Sequence, residues 1–392
     1  MGENQMYSVR RLWPEDNQSL WNIKNQEQIV EIKWSKKPFE DYKRLAKEYA
    51  QTGYLIFKEV SESGHDNIKS DMWFLPGIYF MRQSIELGLK ALICRVYDRK
   101  PDIQRAFEEC CHDLSKLFSL YDAKNEDYIL EEEKQWLIKY LASIEEVDEK
   151  SDMFRFPFED EFLAQYRDKF LDNVAVANNM VQAFSIICKC HNCGTYDYNS
   201  EFKVDLEPKF LIMASHGLGN CYLWEPVSDN GFHTKVTGYT AVADFIYHEC
   251  NSITLEEKVY PLIFLLRNSI ELCLKRLFYS SVDNGIPRQI FFSKRRSHLL
   301  KKDLWKNVRP MILHYASKNN EDLKVIDVVE AQIFELDALD KNGDYFRYPT
   351  SYSLEYHYSG KRIDLKNVFE YMRAIINFLE GCDSMLDGNF RL

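Results

Sequence analysis

The sequence predicts an all-α protein built from two copies of one helical bundle, and three observations carry that expectation. The stretch Arg82-Gln83-Ser84-Ile85-Glu86-Leu87-Gly88-Leu89-Lys90 returns as Arg267-Asn268-Ser269-Ile270-Glu271-Leu272-Cys273-Leu274-Lys275, with seven of nine positions identical and Gln83 matched by the amide Asn268. Pro and Gly are scarce, eleven and fifteen in 392 residues, and long Glu/Lys/Leu-rich segments favour helices over many short strands. That length suffices for two domains, each able to bury its own core.

Residues 1–37 read as an N-terminal arm, with Trp13, Trp21 and Trp34 among polar residues and a strand candidate at Ile29-Val30-Glu31-Ile32-Lys33-Trp34. The first copy spans 38–190. Phe39, Tyr42, Leu45 and Tyr49 recur at helical spacing after Pro38, and a second helix enters through Pro76, carries the Arg82 stretch and runs to about Tyr97. Arg82, Glu86 and Lys90 at i, i+4 and i+8 form a polar stripe beside an apolar one of Ile85, Leu89 and Leu92. His112-Asp113-Leu114 opens the next helix with Asp113 placed to cap it, and a charged amphipathic helix covers Glu131 to Val147. Asp152-Met153-Phe154-Arg155-Phe156-Pro157 then makes a corner, since Pro stops helical continuation. Leu171 to Cys188 closes the unit, with Val174, Ala177, Val181, Phe184 and Ile187 on one face.

Residues 191–235 read as a linker with a strand candidate at Phe202–Ala214, and 236–392 as the second copy. In that copy Val242–Cys250 stands for the first helix, Arg267–Tyr279 for the second, and Ser297-His298-Leu299-Leu300 for the histidine turn. Asp344-Tyr345-Phe346-Arg347-Tyr348-Pro349 is its corner and Leu365–Phe378 its closing helix. The offsets between Arg82 and Arg267, His112 and His298, and Arg155 and Arg347 are 185, 186 and 192, so small insertions separate two copies of a domain and not units of a solenoid.

Arg-x-x-Ile-Glu-Leu-x-Leu-Lys, then His-Asp-Leu-x-x-Leu, then a closing helix, in an order repeated twice, resembles the HEPN superfamily of helical bundles. The resemblance covers about 38–190 and 236–383. It implies an intramolecular pseudo-dimer of two HEPN-like bundles and, from the family's known members, either a ribonuclease in a bacterial defence or stress system or a non-catalytic binder of nucleotides or partner proteins. The chain departs from the family's Arg-x(4–6)-His pattern: Leu87, Gly88 and Leu89 follow Arg82 at that spacing, and Leu272, Cys273 and Leu274 follow Arg267.

The candidate catalytic residues are therefore Arg82, His112, Arg267 and His298. Lys90, Arg155, Lys275, Arg295, Arg296 and Arg347 are candidates for holding RNA or a nucleotide phosphate, with Glu86 and Glu271 orienting the arginines. Metal-independent RNA cleavage needs a base, an acid and a cation for the phosphorane, which His and Arg can supply. The competing reading is structural: Arg and Glu form an i,i+4 pair, His packs at a helix start, and the corner Arg pairs with Glu86. Lys294-Arg295-Arg296-Ser297-His298 with Lys301 and Lys302 makes a local positive patch, while the net charge of −11 argues against broad binding to a nucleic-acid backbone. The aromatics Tyr345, Phe346, Tyr348, Tyr352, Tyr356 and Tyr358 fit base stacking or tertiary packing.

No cofactor or metal is expected. Cys188, Cys190, His191 and Cys193 put four soft ligands within six residues, near enough to His216 and Cys221 for a structural zinc, but no Cys-x-x-Cys pair repeats and Cys188 lies on an apolar face. Ten scattered cysteines suit free thiols in a reducing compartment. The absence of a roughly twenty-residue apolar run or a signal peptide leads to a cytoplasmic expectation with no membrane partner. A protein partner and a homo-oligomer stay open.

Overall fold

A computed structural model describes residues 12–64, 66–124, 129–191, 202–224, 231–282, 297–319, 321–357 and 360–390. The described residues are mostly helical, with short strands as decoration, as the composition predicts. Two compact units partition it: a larger one of Glu31–Asn268 and Gly343–Lys361, and a smaller one of Met1–Val30, Ser269–Asn342 and Arg362–Leu392. The corner at Arg347 therefore belongs to the larger unit, together with the whole first copy.

In the larger unit, α1 (Pro38–Glu62) and α2 (Phe74–Val96) pack along each other, followed by α3 (Lys100–Cys110), α4 (Leu114–Asp122), α5 (Glu131–Asp148), α6 (Asp160–Tyr166) and α7 (Asn173–Cys190). Pro38 begins α1 where its missing N–H costs nothing. The Asp113 and Asp172 carboxylates accept from Lys116 N and Ala175 N, capping α4 and α7. From Phe74 to Ile93 every residue of α2 is buried, so its three charged side chains sit in the core. A helix buried on all sides is normally apolar all round.

Two elements differ from expectation. The first helix of the second copy, α8, runs Phe232–His248 and not Val242–Cys250. Its early turns are rich in Thr, Val and Gly, weak helix formers, and packing overrides that weakness: a Cβ on Gly238 would lie 2.3 Å from the Met72 carbonyl oxygen, so only glycine allows this approach. The stretch 202–214 is irregular, not a strand, and makes a single bridge from Met213 to Leu171. Side chains of α7 and α5 take its backbone instead. Asn179 Nδ2 donates to the carbonyls of Glu207 and Lys209, Gln182 exchanges two bonds with Lys203, and Trp136 Nε1 donates to Leu206 O. The short strands β2 (Phe170–Leu171) and β3 (Cys221–Tyr222) pair antiparallel beside it.

α9 (Leu255–Val282) carries the second copy of the repeated stretch with Pro261 inside it. In the smaller unit, a π-helical turn (Leu300–Trp305), α10 (Lys306–Lys318), α11 (Lys324–Leu339) and α12 (Leu365–Phe390) pack together. The arm is tied down here: Leu20 N donates to Glu335, Lys24 N and Asn25 N to Asp364, and Asn367 Nδ2 to the carbonyls of Ser19 and Leu20. The remaining strands β1 (Ile29–Ile32) and β4 (Lys361–Asp364) form the second two-stranded sheet.

One core carboxylate of α1 lacks adequate compensation. Glu48 is 5% exposed, its Oε2 has no hydrogen-bond partner, and the Arg44 guanidinium is 3.9 Å from Oε1. Burial pushes its pKa up to about 8, against the weaker pull of Arg44. The folded state thus holds a proton that the unfolded chain releases near pH 4.5, so the stability from this site is fully present below that value and is lost as pH rises through 8. Glu48→Gln is expected to flatten this decline and to stabilise the protein by about 2–4 kcal/mol at pH 8.5, measured by urea unfolding from pH 5 to 8.5; an unchanged slope would refute the assignment.

Candidate functional site

The polar stripe of α2 forms a closed cluster around one carboxylate. Arg82, Glu86 and Lys90 are each 0% exposed. Glu86 accepts from the Arg82 guanidinium, from Lys90 Nζ at 2.8 Å, from the Tyr348 hydroxyl at 2.7 Å and from His112 Nδ1 at 3.0 Å. Because a carboxylate only accepts, Nδ1 of His112 carries the proton and its other ring nitrogen is left for outside contacts. Burial alone would raise the Glu86 pKa; Lys90, His112 and Arg82 together overcome it and hold the carboxyl well below its usual range.

Arg82 is fixed from the other side as well. Nη2 donates to His112 O at 3.0 Å, and Nε lies 3.3 Å from Asp148 Oδ2 at the end of α5. Asp148 is pushed up to about 6 by burial, partly offset by Arg82, while its Oδ1 caps the turn through Asp152 N and Met153 N. Lys90 Nζ also faces the rings of Tyr348, Tyr352 and Phe107 at 4.5, 5.3 and 5.6 Å. His112 is the opening of this cluster, its side chain 27% exposed. Glu86 favours the protonated ring, yet burial and the cations Lys90 and Arg347 outweigh it and lower the His112 pKa.

The corner that meets Glu86 belongs to the second copy. Arg155, which the structural reading of the sequence paired with Glu86, donates instead from Nε to Asn268 Oδ1; Arg347 Nε donates to Tyr79 OH and its Nη1 to Asp344, and the neighbouring Tyr348 reaches the carboxylate. The first copy's corner docks reciprocally. Gln83 Nε2 donates to Arg347 O, and its counterpart Asn268 Nδ2 donates to Arg155 O. The Tyr49 hydroxyl donates to Phe346 O, and the Tyr239 hydroxyl to the matching Phe154 O. Tyr79 and Phe264, each three residues before its motif arginine, stack at 4.8 Å and 15°. The copies have exchanged corners within the larger unit.

Arg155 and Arg267 are also buried there, at 3% and 4% exposure, and both reach within 4 Å of where a Cβ on Gly343 would stand. The glycine keeps φ at +75°, and the absent side chain leaves room for the two guanidinium groups. In the smaller unit the cluster is echoed: Glu271 is 0% exposed, meets Lys275 at 2.7 Å and His298 Nδ1 at 2.8 Å, and His298 is 35% exposed. Lys301 and Lys302 are exposed beside it, whereas Arg295 and Arg296 lie outside the described residues.

Other sequence candidates sort by burial. Tyr345, Phe346 and Tyr348 are core residues, Tyr352 and Tyr356 are half-buried, and Tyr358 lies outside the described residues. Cys188, Cys190 and His191 are buried, and His191 Nε2 faces Gly88 O at 2.9 Å; Cys193 lies outside the described residues. Among the described residues no three His, Cys, Asp or Glu side chains converge as a metal site, and no helix is long and apolar enough to cross a membrane. A cavity of about 790 Å³ opens between α1, α7 and the 202–220 segment, and Val174, Ala177 and Val181, placed by sequence on a core face, line it. Sequence reading missed Asp148 as a partner of Arg82 and Gln83/Asn268 as docking groups; the amide-for-amide match was the available signal.

Comparison with family models, curated proteins and solved structures finds no match.

Removing one member of a buried ion cluster leaves its partners uncompensated. Glu86→Gln is expected to lower unfolding stability by about 3–5 kcal/mol, read by urea denaturation with circular dichroism. A loss below about 1 kcal/mol, the range of an exposed pair, would show that the carboxylate is not enclosed as described.

Proposed function

We propose that the chain is a HEPN-like protein that binds RNA or a nucleotide phosphate at two histidine openings, His112 and His298, while the repeated Arg-Glu-Lys stripes act as internal struts. One observation carries this reading: each copy keeps a partly exposed imidazole whose Nδ1 is held by a fully buried glutamate beside a lysine. The Nδ1 bond to the glutamate fixes how each ring stands in its opening, and Lys301 and Lys302 add positive charge near the second opening. Arg82, Lys90, Arg155, Arg267, Lys275 and Arg347 are too buried to meet a phosphate without rearrangement. Arg82, Lys90 and Lys275 act through the glutamates that hold the rings. The exchanged corners support an intramolecular pseudo-dimer, and a role in bacterial defence or stress belongs to the same HEPN resemblance.

A metal-independent ribonuclease is the second reading, favoured by the lowered pKa of His112, which keeps the ring neutral and able to accept a proton. A role limited to holding a protein partner is the third. Fluorescence anisotropy with single-stranded RNA, alongside cleavage gels in EDTA, separates them. The binding reading predicts affinity that falls at least about tenfold, 1.4 kcal/mol, in His112→Ala/His298→Ala, with no cleavage by either protein. Cleavage lost in the double variant would establish the ribonuclease. Neither binding nor cleavage would leave the partner-holding role.

A further inference from the structure

We propose that the larger unit holds a small inorganic anion, of the halide class, on the guanidinium of Arg155 with Arg267 beside it. The two corners supply an internal comparison. Arg347 is bonded through all three nitrogens: Nε donates to Tyr79 OH, Nη1 to Asp344 and Nη2 to Tyr348 OH. Arg155 holds the matching place in the first corner without these partners. Phe264 stands for Tyr79 and Phe156 for Tyr348, so two hydroxyls give way to bare rings, whose centres lie 5.7 and 4.8 Å from the guanidinium carbon. Asp152, the counterpart of Asp344, is exposed, and among the described residues no ion pair joins it to Arg155.

What remains to Arg155 is one side-chain hydrogen bond, from Nε to Asn268 Oδ1 at 3.4 Å, and the faces of Tyr79, Phe156 and Phe264. The residue is 3% exposed, yet Nη1 and Nη2 have no hydrogen-bond partner among the described residues. Both keep some surface open to water, unlike the sealed Nε atoms of Arg82 and Arg267. Ring faces attract a cation without cancelling its charge, and an enclosed guanidinium is costly until an anion faces it. A water molecule takes the donors and leaves the charge. Gly343 adds a second cation to the same place. Apart from its chain neighbours, the atoms nearest to a Cβ there are Arg267 Nη2 at 3.5 Å, Arg267 Cζ at 3.6 Å and Arg155 Nη2 at 3.9 Å, so one anion reaches both forks. Enclosure selects its size: a phosphate ester needs room for substituents, whereas a single-atom ion takes N–H donors from any direction and suits the weakly hydrated guanidinium. Such an ion braces the first corner as Asp344 and the two tyrosines brace the second.

Thermal melts of the full chain test the proposal, with NaCl exchanged for sodium gluconate at one ionic strength, gluconate being too large to enter. The melting temperature is expected to rise by about 2 °C for each tenfold of chloride above the dissociation constant, with bromide acting alike. Arg155→Met removes the charge and should abolish this rise. Phe156→Tyr gives Nη2 a hydroxyl that competes with the ion and should shrink the rise by about twofold or more; circular dichroism checks both folds, and Phe156→Tyr decides alone if Arg155→Met does not fold. Chloride NMR line broadening by the folded protein, reduced in the same variants, reads the binding itself. No chloride-specific rise in the parent chain, an undiminished rise in the folded variants, or a larger rise from inorganic phosphate would each overturn the site.

Discussion

Everything in the larger unit is arranged around a carboxylate that water cannot reach. A buried glutamate is tolerated only with cations and donors on every open lone pair, and Glu86 draws them from separate places: Arg82 and Lys90 on its own helix, His112 from the turn before α4, and Tyr348 from a corner 262 residues away. Arg82 passes the constraint to Asp148 and so to the end of α5. An apolar trio at these positions would pack as well and demand less. The polar version specifies which corner docks on which helix, the role in register for which buried polar groups are best attested.

That specification matters because the two copies are so alike. Each corner, Phe154-Arg155-Phe156-Pro157 or Phe346-Arg347-Tyr348-Pro349, could dock on its own motif helix or on the other. The reciprocal bonds of Gln83 and Asn268, and of Tyr49 and Tyr239, show the exchanged arrangement. The chain thereby joins the first copy to the C-terminal half through main-chain carbonyl acceptors that any residue would provide. Specificity comes from the donors and from Tyr348, which has a hydroxyl where the first copy has the bare ring of Phe156.

The repeat, the all-helical class, the cap of α4 and the Arg82, Glu86, Lys90 and His112 members of the cluster were legible in the sequence because they follow local rules: period, capping residue, identity of spacing. The exchange was not, since both dockings satisfy the same local pattern and differ only in tertiary pairing. Residues 202–214 look like a strand because apolar and polar residues alternate at Phe202, Val204 and Leu206, but Asn179, Gln182 and Trp136 meet that backbone before any ladder can form. The start of α8 was hidden for a related reason, its weak propensity being reversed by a glycine contact with Met72 that sequence spacing does not encode. Burial was the largest unread quantity. A stripe of Arg, Glu and Lys looks equally like a solvated face or a site, and only packing on all sides of α2 makes it a core cluster.

The measurement that bears most directly on this account is a double-mutant cycle between Glu86→Gln and Tyr348→Phe, read by reversible urea unfolding. The hydroxyl of one copy meeting the carboxylate of the other predicts a coupling energy of about 1–3 kcal/mol, as for a buried hydrogen bond to a charged group. Strict additivity of the two changes, within about 0.3–0.5 kcal/mol, would place the corner elsewhere and contradict the exchange.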